Sequence, residues 1–303
     1  MPKVPVLPSD IKNKQKRENL YHKLKAEKAK KKLERRKQLA KDEAKNPELK
    51  EKRLRENVPR TLENTREHDD TMVDAEDEEV AEDIASDELA SYFSGKTPKI
   101  VVTTSKKCTK VTYDFCAELI SMMPNAQFEK RGAKHELRQI IKIANEQEFT
   151  DLIVVNEDHK QPNGITLIHL PEGPSAYFKL SNFIPASRIT DHGAVTAHFP
   201  EIILNNFNTR LGHTIGRMFQ ALFPQVPEFQ GRQAITFHNQ RDFIFVRRHR
   251  YVFRDTDRVG LQELGPKFTL KLKWLQKGVY DRNGEYEWLF KPELETSRRR
   301  FFL

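Results

Sequence analysis

Arg247, Arg248 and Arg250 crowd beside Tyr251 and Phe253 in the run VRRHRYVFR. A guanidinium presents a planar fork of donors that fits a phosphate, and a flat ring or guanidinium stacks on an unpaired base. This is the chemistry of nucleic-acid contact rather than of bond making. On an extended strand, Arg248 and Arg250 share one face, and Arg247, His249 and Tyr251 share the other. Downstream, Lys267, Lys271 and Lys273 alternate with Phe268, Leu270 and Leu272. A period of two turns the apolar set inward and gathers the lysines, with Thr269, on the outside. A third cluster, Lys130, Arg131, Lys134 and Arg138, falls at a loop–helix junction and suits a phosphate track. A fourth is Lys28, Lys30, Lys31, Lys32, Arg35, Arg36 and Lys37, the densest part of a charged stretch over residues 12–56. Its Lys/Arg/Glu/Leu composition favours helix. Its leucines are too sparse for a sustained coiled coil, and it lacks the apolar face of a membrane-surface helix.

Catalytic patterns are missing from the sequence. Gly95-Lys96-Thr97 imitates the end of a phosphate-binding loop, but Ala90 stands where the first glycine belongs and Pro98 where a helix would begin. There is no GxGxxG, GxSxG or HExxH. The ten histidines have no ligand spacing, and Cys108 and Cys116 form no zinc motif. No enzyme activity, cofactor, metal or small-molecule substrate is expected. The two cysteines read as free thiols in a reducing compartment. Without an apolar run long enough to span a bilayer, or a signal-peptide h-region, the expected setting is cytosolic or nuclear, away from membranes.

The elements that must position these clusters follow from charge and periodicity. Residues 1–60 hold 21 Lys+Arg against 9 Asp+Glu, a net of +12, and residues 61–90 hold 1 against 13, a net of −12. Residues 91–303 keep 31 against 22, a net of +9. A basic fold with a basic arm points to a polyanion. The layout expected is an arm over 1–60, an acidic disordered linker over 61–92, a folded domain over 93–290 and a basic tail over 291–303. Within the domain, KIVVTTS reads as a strand and Thr109–Met123 as a helix stopped by Pro124. A second helix follows with Leu137, Ile140, Ile141 and Ala144 inward. DLIVV is a buried strand, Asn163-Gly164 a hairpin turn, and GPSAYFKLSNF another strand. From Pro200 the series restarts with EIILNNF, a helix over Leu211–Phe223, Pro224, DFIFV and GPKFTLKLKWL. Matching DLIVV with DFIFV and GPSAYFKLSNF with GPKFTLKLKWL predicts two related α/β halves, about 99–190 and 200–290. On that alignment, the strand-like QAITFHNQRDF replaces the second helix of the first half.

The runs GRQAITFHNQRDFIFVRRHRYVF and LQELGPKFTLKLKWLQKG, on such paired halves, resemble the Brix domain family. The resemblance covers roughly 93–290. It implies an α/β fold of two pseudo-symmetric halves, related to anticodon-binding domains. It also implies a non-enzymatic, nucleolar assembly factor that binds precursor ribosomal RNA during maturation of the large, 60S subunit. The expected partners are large-subunit precursor rRNA, pre-60S assembly factors and ribosomal proteins, including one dedicated protein partner of the Brix domain. The family's Gly-Pro-basic-Phe motif maps onto Gly265, Pro266, Lys267 and Phe268, which join the expected RNA-binding set. Lys267 keeps the charge of the arginine common there but not its fork. The rival reading is a protein-docking module within pre-ribosomes whose RNA contact is incidental.

Overall fold

Charge and helix propensity decide the first part of the chain. The computed structural model describes residues 11–73, 88–93, 95, 97–123, 125–132, 135–255 and 258–303. These divide into one unit up to Thr65 and another from Arg66 onward. The first unit holds α1 (Lys14–Lys45) and α2 (Pro47–Glu56). The Asn13 side chain opens α1 by accepting from the Lys16 amide at 3.1 Å. Asn46 is extended, and Pro47, lacking an N–H, occupies the first turn of α2. Arg53 of α2 bonds the Glu43 carboxylate of α1. Neither helix has a buried residue.

In the second unit the chain runs β1 (Ile100–Thr104), α3 (Lys110–Met122), β2 (Ala126–Phe128), α4 (Leu137–Glu146), β3 (Asp151–Asp158), β4 (Gln161–His169) and β5 (Ser175–Ile184). It continues through β6 (Glu201–Asn205), α5 (Arg210–Ala221), β7 (Gln233–Gln240), β8 (Phe243–Asp255), β9 (Arg258–Glu263), β10 (Lys267–Gln276) and β11 (Trp288–Leu289). One sheet joins the strands in the order β2-β1-β3-β4-β5-β10-β8-β7-β6, with β9 on β8 and β11 on β10. β1 is parallel to β3, and β6 to β7, while the strands that follow in each half are antiparallel. The courses β1-α3-β3-β4-β5 and β6-α5-β7-β8-β10 therefore match, which makes the fold a pair of pseudo-symmetric α/β halves.

The repeated Gly-Pro phrase marks their seam. β5 and β10 pair antiparallel, with Leu180 opposite Leu270 and Lys179 opposite Lys271. Each strand follows a glycine with positive φ, +112° at Gly173 and +71° at Gly265. A Cβ at Gly173 would fall 2.5 Å from the Gly278 backbone, and one at Gly265 2.7 Å from Ala186 Cα. Both positions need glycine for conformation and for space.

Two details of the expected layout are corrected. DLIVV forms β3, whose counterpart is β7 (QAITFHNQ), because each lies parallel to the first strand of its half. DFIFV instead opens β8, the counterpart of β4. QAITFHNQ thus replaces no helix; β2 and α4 are additions to the first half. The β3–β4 turn is His159-Lys160, both with positive φ, matched by Arg241-Asp242 between β7 and β8. Asn163-Gly164 lies inside β4. Gly164 is small because a Cβ there would strike the Tyr177 ring.

Strand alternation gives the sheet two apolar faces. On the inner face, Phe115 and Leu119 of α3 and Ile215, Met218 and Phe219 of α5 pack over Ile153, Phe178, Phe237, Phe268 and Leu270. Phe115 of the first half meets Phe268 of the second, and Phe219 of the second meets Phe178 of the first. The halves thus share one core. On the outer face, α4 covers Val101, Leu152, Val154 and Ile168.

Part of the segment expected as a disordered acidic spacer is held by the fold. The Glu67 amide donates to the Arg299 carbonyl at 2.9 Å, and the Val73 amide to the Asn208 carbonyl at 3.1 Å. Leu89 is fully buried, and the Tyr92 hydroxyl donates to the Thr150 and Leu170 carbonyls. The rest of that acidic run, residues 74–87, lies outside the described residues. The basic tail also folds back. The Phe302 and Leu303 amides donate to the Asp242 carboxylate at 2.8 and 2.9 Å.

Candidate nucleic-acid interface

The strand β8 sorts the arginine cluster by phase. Ile244 and Val246 are fully buried, and Arg248, on the same side, is 1% exposed. Its guanidinium donates to Gln233 Oε1 from Nε at 3.2 Å and Nη2 at 2.7 Å, and to the Ser121 carbonyl from Nη1 at 2.8 Å. Ser121 lies in the last turn of α3, where carbonyls lack helical partners and the dipole is negative. Burial pushes the Arg248 pKa down to about 10, against an upward pull from Glu118. Arg248 is thus a tie between the halves and leaves the set of RNA contacts. Arg247 and Arg250 are half-buried. Arg247 Nη1 donates to the Val246 carbonyl at 2.9 Å. The Tyr251 hydroxyl bonds Glu201, which, with burial, pushes its pKa up to about 12.

The Gly-Pro-Lys-Phe motif is corrected in the same way. Gly265 and Pro266 are buried, and Phe268 is a core ring 3% exposed. Lys267 is half-buried and pairs with Glu263 at 3.2 Å. Gly265, Pro266 and Phe268 launch and anchor β10 and present no face to a ligand, while Lys267 is engaged by Glu263.

The lysine face of β10 forms in part, at the seam; Thr269, expected on it, is instead buried, 3% exposed. Lys271 stands across from exposed Lys179 of β5, with Lys273 beside them. Like charges directly opposite are unfavourable. Burial lowers the Lys273 pKa, and Lys271 and Lys179 lower it further, while Glu295 opposes them. The Glu295 carboxylate answers the cluster, 2.6 Å from Lys271 Nζ. Phe290 lies under Lys271 and Lys273, their Nζ atoms 4.5 and 3.8 Å from the ring centre. The chain beyond β11 therefore shields part of this face. The meeting of Lys179 with Lys271 was not legible in sequence, because adjacency of β5 and β10 is a property of the sheet order.

The third cluster is not one track. Lys130 is exposed, its Nζ 5.9 Å from the ring centre of Tyr113 on α3. Arg138 is exposed on α4, on the opposite face of the sheet, and pairs with Asp281. Arg131 Nε donates to the His135 carbonyl at 3.1 Å. Lys134 lies outside the described residues. In the arm, Lys28, Lys30, Lys31, Lys32, Arg35, Arg36 and Lys37 are all exposed along α1. Among the described residues no group of three or more His, Cys, Asp or Glu is placed to hold a metal, and no helix is long and apolar enough to cross a membrane. Both cysteines are unpaired, and burial pushes the Cys116 thiol up to about 12.

Comparison with known proteins bears on this arrangement. The Brix domain family profile matches residues 105–274. Ribosome production factor 1 of Saccharomyces cerevisiae is 50% identical over 297 residues, covering 97% of this chain and 98% of its own. Ribosome production factor 1 of Pongo abelii is 51% identical over 300 residues, covering 97% of this chain and 84% of its own. A crystal structure of a probable ribosomal biogenesis protein from Aeropyrum pernix K1 aligns with 64% of this chain and 99% of its own, at 15% identity and a TM-score of 0.42. With a family match over more than half its length and relatives half identical from end to end, this chain belongs to the Brix domain family.

Proposed function

We propose that the chain is a non-enzymatic assembly factor of the large (60S) ribosomal subunit that binds precursor rRNA in the nucleolus. The assembly role rests on its half-identical relatives, which are named ribosome production factors. The RNA-binding role rests above all on α1, which spans 32 residues, buries none of them and displays a dense run of cations. A helix polar all round has no apolar stripe to dock, and its charge suits a phosphate backbone. The Lys179–Lys271–Lys273 cluster supports the same reading, since like charges held together at the seam are relieved by a polyanion. Arg247, Arg250, Lys130 and Arg138 are further contacts in this proposal, and pre-60S proteins are the expected neighbours. Binding positions RNA; no bond is made or broken.

The test is the salt dependence of binding to a large-subunit precursor transcript. In the full chain, Lys30, Lys31, Lys32, Arg35 and Arg36 are replaced together by Gln. Each lost phosphate contact lowers the slope of log K against log salt by about 0.7–0.9. Five lost contacts should lower it by roughly 3.5–4.5. An unchanged slope would remove the arm from the interface.

A further inference from the structure

The β8–β9 hairpin carries an apolar face that the described residues leave uncovered. Directly opposed residues of an antiparallel pair lie on the same side. Tyr251 stands opposite Leu261, and Phe253 opposite Val259. Phe253 is 70% exposed, Leu261 66% and Val259 50%. The Tyr251 and Phe253 rings meet edge to face at 5.4 Å, so the surface is continuous. Exposed apolar side chains grouped in this way mark an interaction site.

The edge beside this face is open as well. Among the described residues β9 pairs with β8 and with no other strand. The Leu264 amide donates to the Arg248 carbonyl at 2.9 Å, which sets the phase of the ladder. Bonded and unbonded pairs alternate, so Val259, Leu261 and Glu263 turn their backbone groups toward the free edge. Glu263 shows this directly, its carbonyl accepting there from the Gly193 amide at 3.0 Å. The Val259 and Leu261 backbone groups have no such partner among the described residues. Open edges are ordinarily blunted by Lys or Pro, and β9, RVGLQE, contains neither. Arg254 and Arg258 are exposed at this end of the hairpin, and Arg250 is half-buried nearer its base.

We propose that β9 is a docking edge for an extended, acidic segment of a partner protein. The segment adds as a strand, sets alternate apolar side chains on Phe253, Val259 and Leu261, and directs carboxylates to the arginines. A peptide fits this surface better than RNA does. Branched aliphatic side chains offer nothing to phosphates, and only another backbone matches a strand edge's alternating donors and acceptors. The proposal stands whether or not the chain binds RNA.

The test is amide hydrogen exchange on the full chain with three probes. One is a short synthetic peptide alternating Val or Leu with Glu. Another has the same composition with its apolar residues grouped at one end, and the third is a short oligouridylate. The alternating peptide alone should slow exchange over 258–263 by about tenfold. Leu261→Pro removes one outward N–H while keeping the β8–β9 bonds, and should abolish the effect. If exchange in β8 rises in that variant, Leu261→Ser, which keeps the backbone and loses the anchor, is read instead. No protection by the alternating peptide, equal protection by the grouped peptide, or protection by oligouridylate instead would overturn the proposal. So would protection that grows with the concentration of the chain alone, which would make a second copy the occupant.

Discussion

Arg247 and Arg248 are neighbours with the same charge, and the strand pleat gives them different tasks. Arg248 ties β7 of one half to the end of α3 in the other; Arg247 stays at the surface. Arg248→Ala would strand the Gln233 and Ser121 acceptors and open a hole in the core. It should cost about 3–5 kcal/mol, read as a lower urea midpoint. Arg247→Ala should cost less than about 1 kcal/mol in the same measurement. Equal losses would mean that Arg248 is not the tie described. Sequence alternation correctly grouped Arg248 with Arg250 but could not say which group faces inward. Phe243 and Phe245 compete with Ile244 and Val246 for the core, so both phases of β8 look apolar. In β10 only one phase is apolar, and the inward set Phe268, Leu270 and Leu272 was legible.

At the scale of elements, helices and strands follow from periodicity, but pairing does not. DLIVV and DFIFV look alike because any buried strand favours branched and aromatic residues, although they occupy different places in their halves. The His159-Lys160 turn escaped notice because its positive φ values fall on residues other than Gly or Asn. A further contact invisible in sequence is the start of α3. Glu157, at the end of β3, accepts from the Thr109 amide at 2.7 Å, Thr109 Oγ1 at 3.0 Å and Thr112 Oγ1 at 2.6 Å. Burial pushes the Glu157 pKa up, but these bonds outweigh it and hold the carboxyl below its usual value. A lowered folded-state pKa gives stability that is present above the unfolded value, near 4.3, and lost as pH falls through the folded value. Glu157→Gln should therefore cost about 1 kcal/mol at neutral pH, a cap-sized effect tempered by solvent. The gap from the parent should close in urea titrations below about pH 4. A gap independent of pH would show that the charge does not matter there.

At the scale of the molecule, segregated charge and the duplicated phrase gave the division into a basic arm and a two-part domain. The two halves meet where the phrase recurs, and like-charged lysines meet there too. What sequence could not supply was closure of the surface. The chain beyond β11 returns over the seam, residues 66–73 run beside it, and Phe290 and Glu295 contact the lysines. Such contacts join distant segments whose local composition reads only as polar loop. On the proposed function, RNA contacts would fall on the exposed arm and the rim of the seam; Arg248, Gly265, Pro266 and Phe268 are buried. The most direct measurement is crosslinking of the full chain to RNA in cells, with both the crosslinked nucleotides and the crosslinked residues mapped. The account predicts nucleotides in large-subunit precursor rRNA, joined to α1 and to the surface around Lys179, Lys271 and Lys273. Contacts confined to small-subunit RNA, or the absence of RNA from both regions, would contradict it.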